Sequence, residues 1–185
     1  DALPENWICI NQHLFGYGVN YAGYNFQAPG EETPYFQYYD GPIPLQNAVF
    51  SGASNAYFVA DAFEAAGINA SNSSNIHFSA QSESGSGMPF DFTGANFEES
   101  SSGTIYVFSS PFLLDDATFG GSIGITLYIS TQTCQVNNAS LNGIQDSSIR
   151  LMNCTIQDTT FEGSQVSTLN FSSSEVTNTS FVGVE

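Results

Sequence analysis

The chain has 185 residues, with one Lys or Arg against 18 Asp and Glu and a formal charge of −17, yet charged residues make up only 10% of it. So few cations exclude phosphate neutralisation by Lys and Arg, and with it ordinary nucleic-acid binding and attraction to anionic lipid. Hydrophobic residues at 41% and aromatics at 14% suffice for a packed core and exclude a disordered chain.

No apolar run is long enough to cross a membrane. The sequence starts at Asp1 with no Met before it. A removed export signal and a trimmed chain both give such a start, and we expect the former. The expected location is extracellular or at a cell surface.

Residues 1–47 hold Trp7, Phe15, Tyr17, Tyr21, Tyr24, Phe26, Tyr35, Phe36, Tyr38 and Tyr39, interleaved with Gly, Asn and Pro. The irregular spacing suits a cap over the end of the ordered region that follows, or a subunit contact through Trp7, Tyr35, Phe36, Tyr38 and Tyr39. A Tyr-rich binding face for proteins or sugars is the competing account.

In residues 48–99, Phe58, Phe63, Ile68 and Phe78 keep a five-residue step with Ser73 as its gap. Ala56, Asp61, Ala66, Ser71 and Ile76 stand two before them, and Phe92 and Phe97 continue the step. A short helix over AYFVADAFEAAG, stopped at Gly67, competes with a degenerate solenoid. The solenoid is preferred because GINASNSSNIHFSA, directly after, cannot be helical. Within 100–133, GTIYVFSS and GSIGITLYIS read as strands and PFLLDDATFGG as the loop between them, either as long solenoid sides or as a hairpin covering it.

Residues 134–185 are regular. Every fifth residue from Val136, namely Leu141, Asp146, Leu151, Ile156, Phe161, Val166, Phe171, Val176 and Phe181, is apolar except Asp146. The residues two before each, from Cys134 to Thr179, are uncharged and mostly small or aliphatic. In an extended segment a residue and its second neighbour share a face, so two positions in five point inward, and turn-forming pairs such as Asn142-Gly143 make the bends. A short fixed period marks a solenoid, stable only when its repeats stack. Five residues do not fit a 3.6-residue helical turn.

The stretches ASLNG, TTFEG, TLNFSSS and NTSFVG resemble the pentapeptide-repeat family over about residues 134–185. The resemblance implies an all-β, right-handed quadrilateral β-helix with four pentapeptides per coil and an irregular aromatic-rich N-terminal segment. Asp146, in a position the family keeps apolar, predicts a local irregularity. If residues twenty apart stack as in the family, Cys134 lies beside Cys154; a disulfide and a pair of stacked buried thiols are both open. Cys9 is left over.

Asn-x-Ser/Thr sequons occur at Asn69, Asn72, Asn138, Asn153, Asn170 and Asn178, the last four on outward positions of the repeat, and are candidate glycosylation sites. No catalytic, cofactor or metal set emerges. His13 and His77 lie in no ligand motif. The acid pairs Glu31-Glu32, Glu98-Glu99 and Asp115-Asp116 suit solvated loops better than glycosidase chemistry. Arg150 is the sole basic group a sugar-acid lyase would have.

We therefore expect a non-enzymatic structural protein without cofactors. The repeat register persists to Phe181 and Val184, so we expect copies to meet head-to-tail, this end against the aromatic segment, in an extracellular filament or surface layer. The resemblance also implies a second function, an acidic mimic of a nucleic-acid duplex. Glycan binding by the Tyr-rich face is a third.

Overall fold

The computed structural model describes residues 3–4, 7–27, 32–81, 88–108 and 110–185. The N-terminal residue Asp1 and Glu31 of the first acid pair lie outside them. The strands are β1 (Trp7–Ile10), β2 (His13–Gly16), β3 (Tyr35–Pro44), β4 (Ser54–Glu64), β5 (Ser74–Gln81), β6 (Phe90–Asp91), β7 (Thr104–Phe108), β8 (Phe112–Leu113), β9 (Thr126–Asn137), β10 (Ser147–Gln157), β11 (Val166–Asn170) and β12 (Glu175–Thr177). There is no helix among the described residues. AYFVADAFEAAG contributes most of β4 rather than a helix.

β1 and β2 form an antiparallel hairpin. Its two turn residues, Asn11 and Gln12, both have positive φ, as a tight primed hairpin turn requires. All other strand pairings are parallel, and they stack successive coils into a β-solenoid. Coil by coil, one column runs Asn20, Val49, Asn69, Asn96, Thr118, Ser140, Thr160 and Ser180. The coil is thus already under way at Asn20, inside the aromatic-rich segment, and the hairpin precedes it.

Turn chemistry sets the corners. Gly18, Asn47, Gly67, Gly94, Asp116, Asn138, Asp158 and Asn178 form a second column, all at positive φ. Where the turn closes, as in Ala48 N–H to Leu45 O at 2.9 Å or Ile68 N–H to Ala65 O at 3.0 Å, this residue is third in the turn. That is the type II position, which admits Gly and Asn most readily.

The regular coil has 20 residues, as from Val49 to Asn69 and from Ser140 to Thr160. From β3 onward, departures from that length collect at one corner. Tyr39–Gly41 stand opposite Asp61, between the register pairs Tyr38↔Ala60 and Pro42↔Ala62. Residues 131–133 stand opposite Asn153. β5 and β6, and likewise β7 and β8, are separated at that corner, where β4, β9 and β10 pass through as single strands. GTIYVFSS and GSIGITLYIS are therefore rungs of the same parallel stack. PFLLDDATFGG is a coil side, with Phe112, Leu114, Ala117 and Phe119 buried.

The interior is a continuous apolar column. Upstream, the register differs from the sequence expectation. Phe58, Phe63, Ile68 and Phe78 occupy the minus-two column, and their inward partners follow rather than precede them: Ala60, Ala65, Ala70 and Ala80, all wholly buried. Asp61, Ala66 and Ser71 are only half-buried. Ser73 is no gap; it is 3% exposed and inward. Phe92 and Phe97 belong to the central column, aligned through Leu114 and Phe119 with Val136 and Leu141. The size order is thus inverted along the rod, large-then-small upstream and small-then-large downstream, which keeps interior volume filled with either order.

The irregularity expected at Asp146 is present. Asp146 takes φ 50° and points to solvent, while Ser147, 0% exposed, takes the inward place. Asn55, Asn75, Ser102 and Gly124 occupy the same corner with positive φ. Two inward hydroxyls reach carbonyls of the preceding rung: Thr159 Oγ1 donates to Val136 O at 3.1 Å and Ser164 Oγ to Leu141 O at 2.6 Å.

Candidate functional site

Alternation along the long strands turns alternate side chains away from the interior, though Val59 and Ser79 at such positions are covered, and parallel pairing in register places like residues on adjacent rungs. Tyr35, Tyr57 and His77 form one such column. The Tyr35 and Tyr57 rings stack at 4.4 Å, and Tyr57 stacks on His77 at 5.3 Å. Burial, and then the hydrogen bond to Tyr57, raise the Tyr35 pKa. Burial lowers that of His77, whose Nε2 donates to Asn75 Oδ1 at 2.6 Å. One outward position along, Tyr106 stacks on Tyr128 at 5.0 Å, and Arg150 follows on the next rung. Phe108 beside them is 51% exposed. Between the two stacks the column of Tyr106 carries Val59 and Ser79, 1% and 2% exposed, so the outer aromatics form two separate patches.

A second feature lies on the adjoining side, next to the corner that takes the insertions. There Tyr17, Glu64, Asp91, Pro42 and Met88 line a cleft of about 250 Å³. Glu64 and Asp91 are register partners on adjacent rungs. Tyr17 Oη donates to Glu64 Oε2, and this bond is the main cause of a raised Tyr17 pKa. Asp91 Oδ1 accepts from Thr93 N–H at 2.9 Å. No group of three or more metal-ligating side chains occurs among the described residues.

The residues singled out in the sequence are dispersed. Trp7 is half-buried against the core, over Gly16; Tyr35 and Tyr39 are 48% and 49% exposed; Tyr38 is half-buried. Phe36 is not a contact residue. It is 0% exposed, stacked on Phe58 at 5.2 Å, because strand alternation turns it inward between its exposed neighbours. Phe181 is 39% exposed and stacks on Phe161 at 5.2 Å, and Val184 is half-buried.

Cys134 and Cys154 are register partners joined by a disulfide, with Cα atoms 4.4 Å apart. Cys9 is a free, exposed thiol. Among the sequons, Asn69 is half-buried and the side chains of Asn72, Asn138, Asn153, Asn170 and Asn178 are exposed. Glu98, Glu99, Asp115 and Asp116 sit at turns. His13 packs among Phe15, Tyr21, Tyr24, Phe26 and Phe36, on a different strand from His77.

Sequence reasoning missed Tyr57, Tyr106 and Tyr128 on the outer face, and Glu64 with Asp91. The pair Tyr106 and Tyr128 lies 22 residues apart, which a 20-residue step overlooks; allowing the two-residue insertion would have aligned them.

No family model and no curated protein matches this chain. Among solved structures it is similar to a trypsin-treated variant of QnrB1, a plasmid-mediated fluoroquinolone resistance protein, at 14% identity and TM-score 0.28, over 91% of this chain and 90% of that one. It is also similar to HetL, a pentapeptide repeat protein involved in heterocyst differentiation regulation from the cyanobacterium Nostoc sp. strain PCC 7120, at 8% identity and TM-score 0.16, over 91% and 87%.

Proposed function

We propose that this chain is a non-enzymatic solenoid of the pentapeptide-repeat kind that acts as an interaction scaffold, with the outer face of the long strands as its recognition surface. The observation that carries the reading is the pair of outward aromatic patches, one of Tyr35 and Tyr57 and one of Tyr106, Tyr128 and Phe108. Tyr35, Tyr39, Tyr106 and Phe108 are each more than a third exposed, and clustered exposed aromatics mark protein contact surfaces. A photo-reactive phenylalanine analogue at position 108, introduced into the native source, should yield one discrete adduct. The same analogue at Glu98, on a turn, should not. Equal labelling from both positions, or none from either, overturns the reading.

A second reading, head-to-tail assembly into an extracellular filament or surface layer, draws on a different observation. Val176 and Phe181 are 38% and 39% exposed and Leu169 and Phe171 half-buried, while Ile149, Leu151, Ile156 and Phe161, one rung earlier, are buried. Another coil stacked on this rung would bury these side chains and pair its strands. At the other end Leu14 and Tyr24 are 40% and 44% exposed and offer an apolar counterface. The Cys134–Cys154 bridge favours an oxidising compartment. Sedimentation velocity of the purified chain should show linear oligomers that Phe181→Asp abolishes; a monomer at every concentration overturns it. Intact sequon peptides in mass spectra of native material would count against export through a glycosylating route.

A further inference from the structure

We infer that the cleft beside Glu64 and Asp91 is a receptor for an arginine side chain presented by a partner polypeptide. The two carboxylates are in register on adjacent rungs, where parallel strands lie about 4.8 Å apart. A planar guanidinium with five fixed donors can bond both carboxylates at once, which a point-charge ammonium does less well. Tyr17 Oη occupies Glu64 Oε2 and Thr93 N–H occupies Asp91 Oδ1, so each carboxylate is held in place while keeping one oxygen for a ligand.

The remainder of the lining suits the stem of such a side chain. Pro42, Ala66 and Met88 give the cleft apolar walls, against which an arginine stem packs while its head meets the acids. A cleft of about 250 Å³ exceeds the roughly 30 Å³ share of one water and admits a guanidinium with several methylenes.

Charge complementarity selects the occupant. The chain carries −17 and its one Lys or Arg is Arg150, which stands in β10 beside Tyr128 on another side of the coil. Neither cleft carboxylate is neutralised from within the chain by Lys or Arg. An anionic side chain would add to the negative charge of the cleft and a neutral one would leave it, whereas an arginine offsets it. A divalent cation would find only two carboxylates, fewer than a hard cation's usual oxygen shell. This site is separate from the outer aromatic face, and the result below does not depend on what binds there.

The test is an NMR titration of the full 185-residue chain with the capped peptide acetyl-Gly-Gly-Arg-Gly-Gly-amide at low salt. Saturable shifts are expected at the amides of residues 62–66 and 90–93. The lysine counterpart should bind at least threefold more weakly. Glu64→Gln with Asp91→Asn should weaken the arginine peptide at least tenfold, and Glu98→Gln with Glu99→Gln, at a turn elsewhere, should leave it unchanged. Should the acid-pair variant fail to fold, Ala66→Met fills the cleft floor with both carboxylates intact and should give the same loss. Shifts spread over the whole surface, or binding that survives Ala66→Met or the folded acid-pair variant, would overturn the assignment, as would calcium chloride saturating the same amides in place of the peptide.

Discussion

At single residues, the rod depends on positions where the backbone must run left-handed or where a side chain has no room. Gly16 is one. A Cβ there would meet the Trp7 ring at 2.4 Å, so Gly16→Ala must displace the indole. Overpacking of this kind costs about 1–3 kcal/mol. Because Trp7 is the only tryptophan, its emission should shift to the red in the same variant, and unchanged emission and midpoint would contradict the packing described.

Asn55 is a second such position. It has φ 59°, its amide donates to Asn25 Oδ1 at 2.9 Å, and its own Oδ1 accepts from Asn75 at 2.9 Å. This ladder ends on His77. His77 is held with a pKa below the ordinary 6.5, by burial. The folded state therefore binds its proton less readily than the unfolded chain. The stabilisation is fully present above about pH 6.5 and is lost as pH falls from there through the lowered value. His77→Gln should flatten that part of the stability profile, visible as a wild-type minus variant difference in urea midpoints between pH 7 and 5. A constant difference would show that burial of the imidazole carries no such linkage.

At the level of elements, each coil is held by in-register pairing and by a constant interior volume. Phe58 stacks between Phe36 and Phe78 at 5.2 and 5.3 Å and is 0% exposed. Phe15 and Phe50 also meet its ring, at 5.3 and 5.7 Å, so Phe58→Ala opens a cavity at the centre of an aromatic cluster. The expected loss is about 3–5 kcal/mol, read from chemical denaturation. The disulfide ties β9 to β10 across 20 residues. Replacing both Cys134 and Cys154 by Ala should cost about 3 kcal/mol by the loop-entropy model; a variant as stable as the parent would show that stacking alone fixes those rungs.

These elements also show what was legible. From Val136 to Phe161 the five-residue period and the coil length agree, so inward and outward positions follow from the period, and the stacking of Cys134 on Cys154 and the disturbance at Asp146 from the twenty-residue coil that the pentapeptide-repeat resemblance implies. Upstream, the extra residues at one corner break the step. A five-residue count through Phe58 and Phe63 finds the right ladder but cannot tell its minus-two column from its central one, since both are inward. Phe36 shows the same limit: composition marked it as aromatic, and only alternation along β3 turned it inward. The outer stack of Tyr106 on Tyr128 and the pairing of Glu64 with Asp91 depend on cross-rung register, which insertions of unknown placement conceal.

For the whole molecule, net charge opposes what the rungs build. A formal charge of −17 on 185 residues sets acids along a rod where parallel rungs bring like positions together. Asp116 and Asp158 are interleaved in their column with Asn138 and Asn178, whose amides donate to them, at 2.7 Å in the first case. That spacing relieves part of the repulsion. The rest is open to screening: raising sodium chloride from about 0.01 to 0.15 M shortens the Debye length from about 30 to 8 Å and should raise the melting temperature. A melting temperature that falls over this range would contradict a stack limited by self-repulsion.

The corner that gathers the insertions has a further consequence. There the number of residues in a coil is uncoupled from the pitch of the stack: Tyr39–Gly41 and residues 131–133 leave the rung plane, and the register resumes with the neighbouring columns undisturbed. The other corners of the rod behave as a ruler, and this one as a socket in which chain length is free. Since each doubling of a loop costs only about 0.6 kcal/mol in closure entropy, unrelated segments can be carried at this edge at fixed spacing, one per rung, without altering the ruler.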